Sequence, residues 1–210
     1  MTSSYTVRAD VVDASAYTPR PGETFLVDTN VWFWMCYEAA PDAPGVAKSR
    51  QTQSYPALLD RVQKAGGALH WSALSWSELG HIIERTEFDI AKVCGATTAK
   101  GIKQYRYENA DERARVVTAI QNTWNQVTVL ASPLGDTVID ETAVQAANEE
   151  LEEVTLDGYD LFLAQALRKA EITGIITDDG DFCTAGGITV FTTNRNALRA
   201  AQAQGKLRTT

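Results

Sequence analysis

Five short apolar runs, TFLV at 24–27, ALHWS at 68–72, VTVLA at 127–131, GIIT at 174–177 and ITVF at 188–191, alternate with longer stretches of helical periodicity. Apolar runs of this length, bounded by turn formers, suit strands buried on both faces, and such strands belong to parallel sheets connected by helices. The pattern predicts an α/β sandwich in which a central, mostly parallel sheet is covered by helices on both faces. Helices are expected from Asn30 to the PDAPG breaker at 41–45, near 54–65, from SWSELGHIIER onward, and near 108–124, 138–153, 158–171 and 194–203. Residues 1–22, with Pro19, Pro21 and Gly22 and no sustained periodicity, read as an extended leader. Residues 23–204 read as one domain carrying an insertion near 87–125, irregular over 87–108, and 205–210 as a tail.

Composition sets the frame. A chain of 210 residues with 44% hydrophobic content buries one substantial core. No stretch approaches the roughly 18 uninterrupted apolar residues of a membrane span. The polar start MTSSYTVRADVVD lacks the order of a secretion signal, so a cytoplasmic protein with no membrane partner is expected. Cys36, Cys94 and Cys183 have neither CxxC nor Cys/His spacing and read as unpaired core thiols. The net charge of −8 argues against gripping a polyanion over the whole surface. It is unevenly spread: residues 108–181 carry 16 acids against 4 bases, whereas 90–107 and 182–210 carry bases and no acid. Basic faces can therefore meet phosphate while a separate acidic pocket holds cations.

Four acids fall at strand ends or helix starts: Asp28 after TFLV, Glu78 in SALSWSEL, Asp160 in LDGYDLFLAQAL and Asp179 after GIIT in TDDGDF. In open parallel sheets ligands collect beyond the carboxyl ends of the strands. Asp28 and Asp179 project from one such rim, with Glu78 and Asp160 on helices that border it. Carboxylates gathered there raise one another's pKa unless cations neutralise them. Oxygen donors without His or Cys favour Mg²⁺ or Mn²⁺ over zinc. Each acid alone also has an ordinary reading. Asp28 caps the helix after its strand, and Asp160 favours a helix N-terminus that Asp157 caps.

The ordered set FLVDTNVW, SELGHIIER, YDLFLAQAL and TDDGDF resembles the PIN-domain nucleases, whose members include the VapC-like ribonuclease toxins; it spans most of the chain. The resemblance implies a PIN-like sandwich and an Mg²⁺- or Mn²⁺-dependent endoribonuclease that hydrolyses RNA with metal-activated water. It assigns Asp28, Glu78, Asp160 and Asp179 as the catalytic, metal-holding quartet, with Asp181 as a further metal ligand or a residue that orders the turn. Asn30 and Thr177 become polar supports of the quartet. It also implies a homodimer and, if the chain is a toxin, a protein antitoxin. The leader and the long region between Glu78 and Asp160 depart from the shorter toxins and leave that branch open.

Other residues are ranked by chemistry. In KGIKQYRY at 100–107, Lys100, Lys103 and Arg106 are candidates for phosphate contact and Tyr105 and Tyr107 for base stacking, against an ordinary amphipathic connector. His70 and His81 are too few and too far apart for a metal-free ribonuclease with paired imidazoles. Trp32 and Trp34 read as core or subunit interface. Two alternatives stand beside the nuclease: a non-catalytic PIN-like module that binds RNA or protein, and a phosphatase of the haloacid-dehalogenase type. The latter needs an Asp where Asn30 stands.

Overall fold

A computed structural model describes residues 5–42, 51–135, 139–170 and 172–208. Seven strands form one sheet in which every pairing is parallel. They are β1 (Asp10–Asp13), β2 (Thr24–Val27), β3 (Ala68–Trp71), β4 (Ser132–Pro133), β5 (Gly174–Ile176), β6 (Thr189–Thr192) and β7 (Leu207–Arg208), in the order β4-β3-β2-β5-β6-β1-β7. The helices are α1 (Thr29–Cys36), α2 (Gln51–Lys64), α3 (Ala73–Val93), α4 (Ile102–Glu108), α5 (Ala110–Leu130), α6 (Glu141–Glu150), α7 (Gly158–Ala170) and α8 (Arg195–Ala203). This is the α/β sandwich that the alternating pattern predicts, consistent with a PIN-like fold.

Two cores sandwich the sheet. On one face α1, α2, α3 and α5 pack Trp32, Tyr55, Leu58, Leu79, Ile83 and Val127 against Phe25, Val27 and Phe191. On the other, Leu161, Leu163, Ala164 and Leu167 of α7 and Ala197 and Ala201 of α8 cover Leu26, Ile175 and Val190. Alternate residues of each strand thus serve opposite layers, which is why the strands are apolar throughout. Helix α1 is buried on several sides, at Val31, Trp32, Phe33 and Cys36, as a short helix of NVWFWMC composition must be. Trp34 stacks on Tyr55 with centroids 5.8 Å apart, so both tryptophans of this helix serve packing. Gly174 is required: a Cβ there would meet the Thr189 carbonyl oxygen at 2.3 Å.

Several expectations are corrected. The supposed leader contains β1, which lies inside the sheet between β6 and β7, with Val7, Ala9, Val11 and Val12 buried. Its apolar stretch is only Val11–Val12 flanked by Asp10 and Asp13, too short to show periodicity. The supposed tail supplies β7, whose Arg208 pairs with Asp10 at 2.8 Å. VTVLA is not a strand, because Val127 to Leu130 complete α5. There Val116, Thr123 and Val127 fall on one buried helical face, and that period prevails over the β-branched composition. The insertion is helical too: the second half of α3, then α4 and α5, close a small core of Phe88, Ala91, Ala99, Tyr105 and Val116. Cys36 and Cys183 are buried as expected, but Cys94 is exposed. Most of the PDAPG breaker lies outside the described residues. Among the described residues no helix is long and apolar enough to cross a membrane.

Candidate active site

The chain leaves the centre of the sheet in two directions. From β2 it steps outward through β3 to β4, and from β5 it steps the other way to β6. The carboxyl ends of β2 and β5 therefore flank a switch point where a crevice opens. Asp28 follows β2, and its backbone N–H donates to the Ile176 carbonyl at 3.0 Å, which brings it beside Thr177. Extended backbone at Asp28 ends the strand and starts α1. One carboxylate oxygen, Oδ1, accepts the Thr29 N–H at 2.6 Å, the capping bond. The other, Oδ2, accepts Asn30 Nδ2 and Thr177 Oγ1, each at 2.5 Å. Thr177 Oγ1 also accepts the Asp179 N–H at 2.8 Å, and Asn30 Oδ1 accepts the Asp178 N–H at 3.3 Å. Capping and site building thus use the same residue. Asn30 holds the Asp28 carboxylate, whereas the Thr177 hydroxyl donates to Asp28 and meets Asp179 only at its backbone N–H.

Neighbouring carboxylates divide their roles. Asp157 Oδ1 accepts the N–H groups of Tyr159 and Asp160 at 2.9 and 3.2 Å, so Asp157 is engaged as the start of α7 while Asp160 turns into the rim. Asp178 accepts the Tyr55 hydroxyl at 2.7 Å and Gln51 Nε2 at 3.2 Å, which ties it to α2 and leaves Asp179 for the crevice. Asp181 is exposed and its backbone N–H donates to Asp179 Oδ1 at 2.8 Å, a bond that orders the turn. Glu78 stands on the second turn of α3, whose start is capped by Ser72.

The four acids act on one another electrostatically. Burial pushes Asp28 up to about 7, with Glu78 and Asp179 raising it further against the Thr177 hydrogen bond. Burial pushes Asp160 up to about 9, and the charges of Asp28, Asp157, Asp179 and Glu78 all act in the same direction. Glu78 and Asp179 are likewise raised, first by burial and then by acids of the same group. Asp157 adds its charge to Glu78, Asp160 and Asp179, so five carboxylates share the rim. None of them has an ion-pair partner among the described residues. The buried Thr29 hydroxyl makes no hydrogen bond of ordinary geometry, yet it lies near enough to Glu78 to lower that carboxyl's pKa against the effect of burial.

By donor type alone the set suits a hard divalent cation. It consists of oxygens alone, and one lone-pair site on Asp28 Oδ1 remains beyond its capping bond. Among the described residues the side chains do not close into a ready-made cage of three metal donors. A cavity of about 1000 Å³ opens elsewhere, walled by Leu134, Ile139, Phe162 and Ile172. None of the four acids lines it, so the polar chemistry belongs to the rim and not to this apolar hollow.

The expected nucleic-acid segment is arranged differently. Tyr105 is 3% exposed and donates its hydroxyl to Glu112 at 2.8 Å, which removes it from stacking. Arg106 binds Glu84 through both Nε and Nη2. Lys100, Lys103 and Tyr107 remain exposed. Sequence reasoning missed Thr29 and Tyr55. Thr29 stood in view inside DTN, whereas nothing local distinguishes Tyr55 from any apolar-face tyrosine. The chain matches no protein-family model, and no curated protein is detectably similar to it.

Proposed function

We propose that the chain is an Mg²⁺- or Mn²⁺-dependent endoribonuclease of the PIN-domain type, with Asp28, Glu78, Asp160 and Asp179 as its metal-holding residues. The observation that carries the reading is the convergence of four sequence-distant carboxylates at the switch point of a parallel sheet, raised in pKa and without a base among the described residues. Evolution toward stability alone favours pairing or removing such groups, since each buried unpaired charge costs free energy.

A bound divalent cation supplies Lewis-acid polarisation of a phosphodiester and acidification of water near neutral pH. The chain's own residues prepare for it. Asn30 and Thr177 hold one Asp28 oxygen, and the other keeps a lone-pair site beyond its bond from the Thr29 N–H. Asp157 positions the first turn of α7 and hence Asp160. The Asp179 amide is held by Thr177, whose hydroxyl also donates to Asp28, so one side chain ties the carboxyl ends of the two central strands. No nucleophilic side chain is required, because water attacks phosphorus and the ribose oxygen leaves. The toxin branch, with its antitoxin and homodimer, is a finer form of the same proposal.

The test is cleavage of single-stranded and structured RNAs in Mg²⁺, Mn²⁺ or EDTA, with Asp28→Asn alongside. Metal-dependent cleavage lost in the variant supports the reading. Binding of RNA without cleavage by the wild type in either metal would favour the non-catalytic module instead.

A further inference from the structure

Several of the protein's bases hold the fold. Arg106 and Arg113 meet Glu84, Arg168 meets Glu150 and Arg208 meets Asp10. Two arginines on the helix that follows β6 are not among them. Arg195 and Arg199 stand four residues apart on α8, exposed and with no ion-pair partner among the described residues. A separation of four places them on one helix face, about 6 Å apart. Ala197 between them is buried, which turns both arginines outward.

The start of α8 is fastened to the acid-bearing turn. Asn194 caps the helix through Oδ1, accepting from Asn196 and Ala197, and its Nδ2 donates to the Asp178 carbonyl at 2.8 Å. Gly180 lies close enough to this first turn that a Cβ there would meet Asn194 Nδ2 at 3.8 Å and the Ala197 methyl at 3.9 Å. Arg195 therefore opens a helix whose start adjoins the Asp178–Gly180 turn, and Arg199 follows one turn farther from it, both on the face opposite Ala197. Residues 182–210 contain no acid, so this face lacks the local negative charge that dominates residues 108–181.

We infer that Arg195 and Arg199 form a phosphate track that anchors single-stranded RNA on the side of α8 next to the acid rim. The inference rests on the ribonuclease reading for the substrate that reaches the rim. A protein of net charge −8 repels a polyanion, and guanidinium groups on the helix that starts at the rim offset that repulsion along the strand's approach. Arginine forks match phosphate oxygens in geometry as well as charge. A single strand is favoured over a duplex because the target carboxylate Asp28 is 3% exposed, and a flexible backbone can bend toward it. Phosphate contacts carry no base information, so the track positions the strand without choosing its sequence.

The experiment compares wild type, Arg195→Gln/Arg199→Gln, Arg195→Lys/Arg199→Lys and the charge-matched control Arg20→Gln/Arg85→Gln. Fluorescein-labelled polyuridine is titrated in Ca²⁺ over a range of KCl, and cleavage is followed separately in Mn²⁺. The glutamine pair should flatten the slope of log affinity against log salt by about 1.4, roughly 0.7 for each single-strand phosphate that is no longer neutralised. It should raise KM by about tenfold or more and leave kcat unchanged, because binding is weakened equally in ground and transition states. The lysine pair should keep most of the salt slope, and the control should stay near wild type. Equal losses in the control would overturn the track as a net-charge effect. Equal dependence of oligoglutamate binding on the two arginines would overturn it in favour of an acidic protein partner. Cleavage by wild type with unchanged KM and slope in the glutamine pair would sink the track while sparing the ribonuclease reading. Arginine-dependent binding without any cleavage would do the reverse.

Discussion

Helix α3 carries two glutamates that the protein treats in opposite ways. Glu84 is buried and held by Arg106 and Arg113, which keep its carboxyl below the usual range. Glu78, six residues earlier, is pushed up by burial and by neighbouring acids, with no base beside it among the described residues. This chain can therefore neutralise a buried carboxylate with arginines where the task is to fasten α4 and α5 to α3. At the rim it gathers acids without doing so. The difference separates a structural ion cluster from a site whose charge balance is completed from outside.

Substitutions that exchange the two behaviours should give the largest effects. Asp28→Asn should lower metal-dependent RNA cleavage by more than about 100-fold, beyond the range found when residues that merely support a ligand are replaced. Its metal-free melting temperature should stay level or rise, since a repelled buried charge is removed; a marked fall would show that Asp28 is mainly a cap. Glu84→Gln should do the opposite and destabilise by about 2 kcal/mol in denaturant titration while cleavage at low temperature persists. That is less than the roughly 3–5 kcal/mol for breaking a fully buried pair, because Arg106 and Arg113 keep 36% and 40% of their side-chain surface in water. Thr177→Val removes one bond to Asp28 and one to Asp179, so activity should fall about tenfold. Unchanged kinetics would mean that Asn30 alone positions the carboxylate.

The smallest effect is a pH trend of opposite sign in the two regions. In the fold Asp28 titrates near 7 instead of its ordinary 3.8, so the native state holds a proton that the unfolded chain has released. Metal-free stability should therefore fall as pH rises from about 4 through 7, and Asp160 extends the fall toward about 9. Glu84, being lowered, contributes stability above its ordinary 4.5 that is lost as pH falls below it. Thermal melts in EDTA across this range should show Asp28→Asn flattening the alkaline side and Glu84→Gln flattening the acid side. Swapped assignments would break the comparison.

The legibility of these features followed their length. TFLV, GIIT and ITVF were readable as strands because buried parallel strands are apolar on both faces, and the acids at their ends inherit their position from the sheet. β1 was not readable, since two valines between aspartates carry no period, and its place is set by pairing with β6 across most of the sequence. VTVLA misled because a short β-branched run fits either element until its buried neighbours are known. At the site, Asp28, Asn30 and Thr177 were legible as a motif. The division of labour between Asp157 and Asp160, and between Asp178 and Asp179, depended on Tyr55 and on which carboxylate the helix start engaged. Arg106 looked like an RNA contact only because Glu84, its partner, is 22 positions away.

The central claim is that the rim is completed by a divalent cation. Its most direct measurement is the melting temperature of wild type and Asp28→Asn/Asp160→Asn titrated with Mn²⁺ near pH 8, above the value of about 7 to which Asp28 is raised. A saturable rise in the wild type that is absent from the double variant is the predicted result. No shift in the wild type, or an equal shift in both proteins, would contradict it.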